Sequence, residues 1–156
     1  MPIQEGKTAP AFTLTDAEGK KVSLKDFSGK DVLLYFYPKD DTPGCTKEAC
    51  GFRDAWKELQ KRGVVVLGVS PDSPESHQRF RAKYRLPFAL LSDPDRKVMQ
   101  RYGAFGEKMM YGKKVEGVIR SSVCIGPDGR VKKHWPRVAK AEAHPEQVLV
   151  ALRGED

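Results

Sequence analysis

Two cysteines, Cys45 and Cys50, stand close together shortly after an apolar run that ends at Pro38. Thr42 and Pro43 precede Cys45 in the pattern of a helix start, with Thr42 as the capping residue and Pro43 at the first helical position. Cys45 then lies in the first turn, where unpaired backbone N–H groups and the helix dipole stabilise a negative charge on sulfur. Because the thiolate is the nucleophilic form of cysteine, this spacing predicts that Cys45 carries out chemistry.

The third cysteine, Cys124, has different neighbours. It lies inside an apolar stretch between Val123 and Ile125. A cysteine in such a stretch is typical of a small buried hydrophobe. We therefore predict that Cys124 packs in the core and is not needed for chemistry.

Other catalytic and binding chemistries find little support in the sequence. A zinc or iron–sulfur site normally uses four ligands, whereas the three histidines are scattered and no second close cysteine pair exists. The sequence has no G-x-S-x-G motif of hydrolases, and neither of the glycine-rich patterns that bind nucleotides. We expect no bound metal and no cofactor.

Buried strands and amphipathic helices alternate around the cysteine pair. Continuous apolar runs at residues 32–37 and 64–70 predict two central strands. Apolar residues at steps of three and four predict one helix over residues 43–62 and another over 74–84. The remaining predictions are an N-terminal hairpin over 11–24, a strand at 88–91, a short helix at 95–102, a loop at 103–117, a hairpin formed by 118–125 and 131–135, and a closing helix at 145–152.

The order strand, helix, strand, helix, strand predicts right-handed crossovers on one sheet. Together with the two hairpins it predicts an α/β fold: a thioredoxin-like sandwich with a central mixed β-sheet, helices on both faces and an N-terminal β-hairpin. A length of 156 residues predicts a single domain, residues 1–156, with a core that does not need disulfides.

Charge and composition limit the classes of partner. The formal net charge is +7, but 21 acidic residues are interleaved with the basic ones and no helix-turn-helix, zinc-finger or RNP signature is present. We therefore expect a solvated basic surface that does not bind nucleic acid, and one that could favour acidic protein partners. The apolar runs are strand-sized and no secretory signal is evident, so we expect no membrane association and a cytoplasmic location with reduced cysteines.

The residues around Cys45 resemble those of a known family. Pro38, Thr42 and Cys45 match the P-x-x-x-T-x-x-C signature of peroxiredoxins, and Thr42-Pro43-Gly44-Cys45-Thr46 with Cys50 resembles the bacterioferritin comigratory protein or peroxiredoxin Q branch. The resemblance extends from about Ile3 to Leu152. It also includes the stretches at residues 9–14, 35–38, 90–93, 106–108 and 111–113, and Arg120.

This resemblance implies roles for particular residues. Cys45 would be the peroxidatic cysteine and Cys50 the resolving cysteine, with an intramolecular disulfide formed between them. Thr42 and Arg120 would orient the thiolate and the peroxide, and Pro38 would shield the site. The resemblance further implies hydrogen peroxide or organic hydroperoxides as substrate, and thioredoxin or a similar dithiol protein as reductant.

The residues themselves leave alternatives open. Arg120 is equally well explained as a surface arginine paired with Glu48, and only the resemblance favours catalysis. Cys124 has no catalytic counterpart in the family pattern and leaves a minor alternative resolving path. A thioredoxin-like disulfide exchange protein or a peroxide sensor would use the same cysteines, although disulfide exchange proteins place them only two residues apart. The preferred peroxide stays open, and we expect a monomer or weak dimer.

Helix geometry predicts a conformational change in this mechanism. In a regular α-helix, residues five apart are rotated by about 140° and their Cα atoms lie about 8.7 Å apart. A disulfide needs Cα atoms within about 7 Å and side chains that face each other. Cys45 and Cys50 can therefore form a disulfide only if the helix between them unwinds.

Overall fold

The computed structural model describes residues 3–154, which form a seven-stranded sheet, a two-stranded ribbon and helices. In chain order the elements are β1 (Thr13–Asp16), β2 (Lys21–Ser23), β3 (Asp31–Phe36), α1 (Pro43–Asp54), α2 (Trp56–Lys61), β4 (Val64–Ser70), α3 (Pro74–Tyr84), β5 (Ala89–Ser92), α4 (Lys97–Arg101), β6 (Phe105–Met110), β7 (Lys113–Val118), β8 (Ser121–Ile125), β9 (Val131–Trp135) and α5 (His144–Arg153). Short 3₁₀ turns at Leu24–Phe27 and Ala141–Ala143 complete the fold.

The large sheet has the strand order β2-β1-β5-β4-β3-β8-β9. β3, β4 and β5 run parallel to one another, whereas β8 pairs with β3 and β1 pairs with β5 in the antiparallel sense. The sheet is therefore mixed, as the sequence predicts. Its two central parallel strands are the apolar runs, because such strands are covered on both faces.

Alternate residues of β3 point into two cores. Leu33 and Tyr35 pack with residues of α1, α2, α3 and α5 on one face. Leu34 and Phe36 pack with residues of α4 on the other face. The predicted sandwich with helices on both faces is confirmed, and the N-terminal hairpin is confirmed as β1 and β2, joined to the sheet through β5.

Two predictions of local structure were wrong. The single helix predicted over residues 43–62 is divided at Ala55, whose backbone leaves the helical region with ψ near 0°. The loop predicted over residues 103–117 contains the antiparallel ribbon of β6 and β7. Tyr111 and Gly112 form its turn, both with positive φ, which is the backbone conformation of tight hairpins. The sequence pattern did not predict the ribbon because its strands are largely exposed and lack a regular apolar alternation.

Within residues 3–154, the helices are all too short or too polar to cross a bilayer.

Candidate active site

The loop between β3 and α1 is fixed by a buried carboxylate. Asp40 is 7% exposed, and its Oδ1 accepts a hydrogen bond from the Tyr37 hydroxyl at 2.6 Å. Its Oδ2 lies 2.8 Å from the Ser76 hydroxyl and 2.7 Å from Nδ1 of His77, and both of these groups belong to α3. Its backbone N–H donates to Asp72 at 2.8 Å. These bonds fasten the loop to the helix that follows β4.

His77 connects this loop to the sheet. The imidazole is fully buried, and its Nε2 lies 3.0 Å from the Leu91 carbonyl of β5. A carbonyl oxygen only accepts, so Nε2 donates this hydrogen bond. The remaining nitrogen, Nδ1, is thereby aimed at Asp40. The position of the loop is thus defined by contacts from two separate elements.

Asp41, the residue after Asp40, holds the loop through contacts at the surface of the protein. Asp41 has a φ of 58°, a left-handed conformation that aspartate tolerates better than most residues. Its carboxylate accepts hydrogen bonds from Lys83 at 2.7 Å and from the Tyr84 hydroxyl at 2.8 Å. These bonds lower the pKa of Asp41. The turn at Asp41 thereby fixes the position at which α1 begins.

Cys45 lies in the first turn of α1, as predicted, and is 1% exposed. The Nη2 group of Arg120 donates a hydrogen bond to its Sγ at 3.2 Å. Gly44 leaves room for this approach, since a Cβ there would lie 3.3 Å from the same Nη2 and the guanidinium would have to shift by a few tenths of an ångström. The sulfur therefore sits between the positive end of a helix and a guanidinium, a setting that stabilises a thiolate.

Glu48 holds the guanidinium of Arg120 in place through a hydrogen bond. It is fully buried one turn after Cys45, and its Oε1 accepts a hydrogen bond from Nη1 of Arg120 at 2.7 Å. Burial raises the pKa of Glu48 to about 7, although Arg120 opposes the shift. Its Oε2 has no hydrogen-bond partner within residues 3–154. The predicted pairing of Arg120 with Glu48 is confirmed, although the pair is largely buried and does not lie on the surface. The same guanidinium contacts Cys45, and its catalytic role stays a prediction.

Tyr35 is a further ionisable group in this buried environment. Its pKa is raised well above the usual value, first by burial and then by the nearby charges of Glu48 and Cys45. The phenol therefore stays neutral. Its hydroxyl has no hydrogen-bond partner among the described residues.

Thr42 and Pro38 flank the cysteine. Thr42 is the residue before α1, but its side chain makes no capping bond and instead donates to the Lys39 carbonyl at 2.9 Å. The prediction that this side chain caps the helix was therefore wrong: the hydroxyl closes the turn inside the preceding loop. Pro38 is half-buried and lines the same cavity as Arg120.

Cys50 lies in the same helix as Cys45 and is half-buried, and both are free thiols. The intact helix separates them by the geometry given above. Cys124, in β8, is 2% exposed and belongs to the same apolar core as Cys45. This burial agrees with the packing role predicted for Cys124.

Sequence reasoning missed several residues that organise the site. His144 is fully buried, with Nε2 at 2.7 Å from the Ser122 hydroxyl, and burial lowers its pKa so that the ring is neutral. Asp40 and His77 were not predicted either, because their pairing joins residues 37 positions apart and no local pattern marks it. The acidic pair after the apolar run, Asp40 and Asp41, was the available signal.

The fold and this geometry define a thioredoxin-like protein with a buried cysteine at a helix start, in contact with an arginine. The model of the AhpC/TSA family matches residues 6–134, and the chain belongs to that family. It is 53% identical to a putative peroxiredoxin of Coxiella burnetii over 152 residues, 97% of this chain and all of the relative. It is 50% identical to the peroxiredoxin Bcp of Escherichia coli, with 97% of each covered.

A solved structure supports the same family assignment. The bacterioferritin comigratory protein of Xanthomonas campestris, studied for its alkyl peroxide reduction activity, superposes with a TM-score of 0.86 at 39% identity, covering 92% of this chain and 91% of that one. The chain is accordingly a peroxiredoxin, a thiol-dependent peroxidase, and the thioredoxin-like fold predicted from the sequence is confirmed.

Proposed function

We propose that the chain reduces hydrogen peroxide and organic hydroperoxides with Cys45 as the nucleophile. The observation that carries this assignment is the contact between Arg120 Nη2 and Cys45 Sγ at 3.2 Å in the first turn of α1. The thiolate attacks one peroxide oxygen, the O–O bond breaks, and the leaving oxygen takes a proton to become water or an alcohol. Cys45 is left as a sulfenic acid.

The arginine and the helix start assist this step electrostatically. Negative charge moves from sulfur to the leaving oxygen, so fixed donors that face it stabilise the transition state. Arg120 is held by Glu48 and cannot turn away without breaking a buried ion pair. In this assignment Thr42 orients the peroxide with its hydroxyl and Pro38 shields the sulfur from water.

Cys50 resolves the sulfenic acid. Its thiol attacks the Cys45 sulfur, water leaves, and a Cys45–Cys50 disulfide forms. Thioredoxin or a similar dithiol protein then restores both thiols, in the cytoplasm, where such reductants act. One chain supplies Cys45, Cys50 and Arg120, which supports a monomer or weak dimer as the working unit.

Steady-state peroxide consumption with excess thioredoxin and its reductase tests this proposal. Cys45→Ser is expected to abolish activity, whereas Cys50→Ser is expected to consume about one equivalent of peroxide and stop at the sulfenic acid, open to overoxidation. Small thiols should rescue Cys50→Ser. A first turnover that survives in Cys45→Ser but fails in Cys50→Ser would reverse the assignment, and a disulfide that forms without sustained turnover would favour a sensor.

A further inference from the structure

The tip of the β6–β7 ribbon carries an exposed apolar surface. Met109, Met110 and Tyr111 are 65%, 46% and 97% exposed. Of the exposed large hydrophobic residues within the described range 3–154, only Val150 lies elsewhere. Methionine and tyrosine are enriched where proteins meet, and adjacent exposed apolar side chains mark a surface that another molecule covers.

This tip also borders the site of the chemistry. Met109 and Met110 form one wall of a cavity of about 800 Å³, and Arg120 and Pro38 lie in the same cavity. A molecule seated on the tip therefore lies next to the arginine that contacts the Cys45 sulfur. Arg120 thus links the apolar tip to Cys45, because it lines this cavity and contacts the sulfur.

The charges around the cavity are mostly positive. Its charged lining residues are one carboxylate, Glu107, and four cations, Lys108, Lys114, Arg120 and Arg137. Lys114 lies 3.5 Å from Glu107, and both side chains are mostly exposed. Arg137 forms no ion pair with any described residue. We define the tip surface as Met109, Met110, Tyr111, Lys114 and Arg137.

We propose that the tip surface is the docking site of the protein that reduces the Cys45–Cys50 disulfide. The partner is a small dithiol protein that presents acidic groups and an apolar patch beside its reactive thiol. This inference rests on the proposed function, because it needs the disulfide as its target. It adds the location of the partner and the chemistry of its recognition.

The chemistry of reduction requires such an encounter in every cycle. A thiolate of the partner attacks one sulfur of the disulfide, which forms a mixed disulfide and releases the other cysteine as a thiolate. The second thiol of the partner then closes the partner's own disulfide and releases the remaining cysteine. Two electrons pass from the partner to the peroxiredoxin, and the partner must sit within bonding distance of this site.

Charge argues against a second copy of the chain as the occupant. A twofold contact through the tip surface would put two copies of Lys114 and of Arg137 into one interface, with no carboxylate in that surface to offset them, and like charges across an interface disfavour association. An anionic lipid surface would match the charges, but it carries no thiol and cannot reduce the Cys45–Cys50 disulfide. An acidic dithiol protein satisfies the charge, the apolar tip and the location together.

The test compares a protein reductant with a small one. Turnover of tert-butyl hydroperoxide is measured with thioredoxin, thioredoxin reductase and NADPH, and in parallel with dithiothreitol. The variants are Lys114→Glu with Arg137→Glu, and Tyr111→Asn, since asparagine tolerates the positive φ at this turn. The matched controls are Lys30→Glu, an exposed residue just before β3 at the opposite end of that strand from Pro38, and Val150→Asn.

We expect the charge-reversed variant to raise the KM for thioredoxin by about tenfold at low salt, with the difference shrinking as salt screens the charges. Tyr111→Asn should raise the same KM at every salt concentration. Rates with dithiothreitol, and both control variants, should match the wild type. Absence of turnover with either reductant would count against the proposed function itself.

Three results would overturn the docking proposal while leaving that function intact. The first is an unchanged KM for thioredoxin in the tip variants, or a wild type that dithiothreitol reduces and thioredoxin does not. The second is an equal loss of rate with both reductants, which would place the tip in the peroxide step or in folding. The third is an unchanged KM together with variant-sensitive binding to phosphatidylglycerol vesicles or variant-sensitive self-association in sedimentation velocity.

Discussion

The loop before Cys45 and the helix turn after it are held in different ways. Asp40 has hydrogen-bond partners on both carboxylate oxygens and on its backbone N–H, and Asp41 adds two more bonds at the surface. The first turn of α1 has no side-chain cap and contains no acidic residue. The loop can therefore stay in place while the helix start opens, and that opening breaks no cap but does break the contacts of Arg120 with Cys45 and Glu48.

The far end of the opening segment is also defined. A Cβ on Gly51 would lie 2.6 Å from Pro145 Cγ, so α1 packs closely on α5 from this point. Phe52 is fully buried. The difference between the two sides of Cys45 suggests one fixed support and one short movable segment that carries Cys50 to the sulfur.

The largest effect is expected from removing the loop anchor. Asp40→Ala leaves the buried Tyr37 hydroxyl and the buried His77 imidazole without their partner, and each buried group left unsatisfied costs about 1–3 kcal/mol of unfolding free energy. Urea denaturation measures the loss, and peroxide turnover should fall with it because the approach to Cys45 is no longer fixed.

Two further variants make this result interpretable. Ser76→Ala removes a single hydrogen bond to Asp40 and should cost about 1 kcal/mol, which keeps the series measurable if Asp40→Ala does not fold. Asp41→Asn removes the exposed ion pair with Lys83 but keeps a residue that tolerates the positive φ, so it should leave stability close to the wild type. If Asp40→Ala proved no more destabilising than Ser76→Ala, the buried anchor would not be what holds the loop.

On the helix side, Glu48 should make stability depend on pH. Its pKa is about 7 in the folded protein and 4.5 in the unfolded reference, because burial favours the protonated form. The folded state therefore binds more protons between these values, and stability falls as pH rises from about 4.5 to 7. Urea unfolding from pH 4.5 to 8 should show Glu48→Gln gaining up to about 3 kcal/mol relative to the wild type. A pH-independent difference between the two proteins would show that Glu48 does not titrate in this range.

The smallest effect is expected at Cys124. Cys124→Ala removes one buried sulfur next to core residues of β3 and should cost about 1 kcal/mol in urea unfolding. Peroxide turnover over many cycles should stay near the wild-type rate, because Cys50, in the movable segment of α1, is the residue proposed to resolve the sulfenic acid. Loss of multiple turnover, with the first turnover intact, would instead make Cys124 the resolving cysteine.

Sequence reasoning succeeded where local patterns carry the information. The apolar runs predicted β3 and β4, and the spacing from Pro74 to Tyr84 predicted α3 with the bounds observed. The placement of Cys45 in the first helical turn followed from Thr42 and Pro43 alone. These signals are local because burial and helix starts depend on neighbouring residues.

Features that depend on distant contacts were missed. The bond between Thr42 and the Lys39 carbonyl competes with capping, and the sequence does not show which of the two bonds forms. The anchor of Asp40 needs α3 and β5 to meet at the end of β3, which only the sheet order brings about. The contact between Arg120 and Cys45 was reached through family resemblance, because the two residues are 75 positions apart.

Amide hydrogen exchange of the reduced and oxidised protein tests the central claim most directly. The disulfide is confirmed by mass spectrometry, and exchange is then compared segment by segment. We predict strong loss of protection over residues 46–53 in the oxidised form, with β3, β4 and the loop residue Asp40 unchanged, because a Cys45–Cys50 disulfide cannot form across an intact helix. The amides of residues 51–53 are included because in a helix they donate to the carbonyls of residues 47–49, which lie in the segment that unwinds. Equal protection of residues 46–53 in both redox forms would contradict the account.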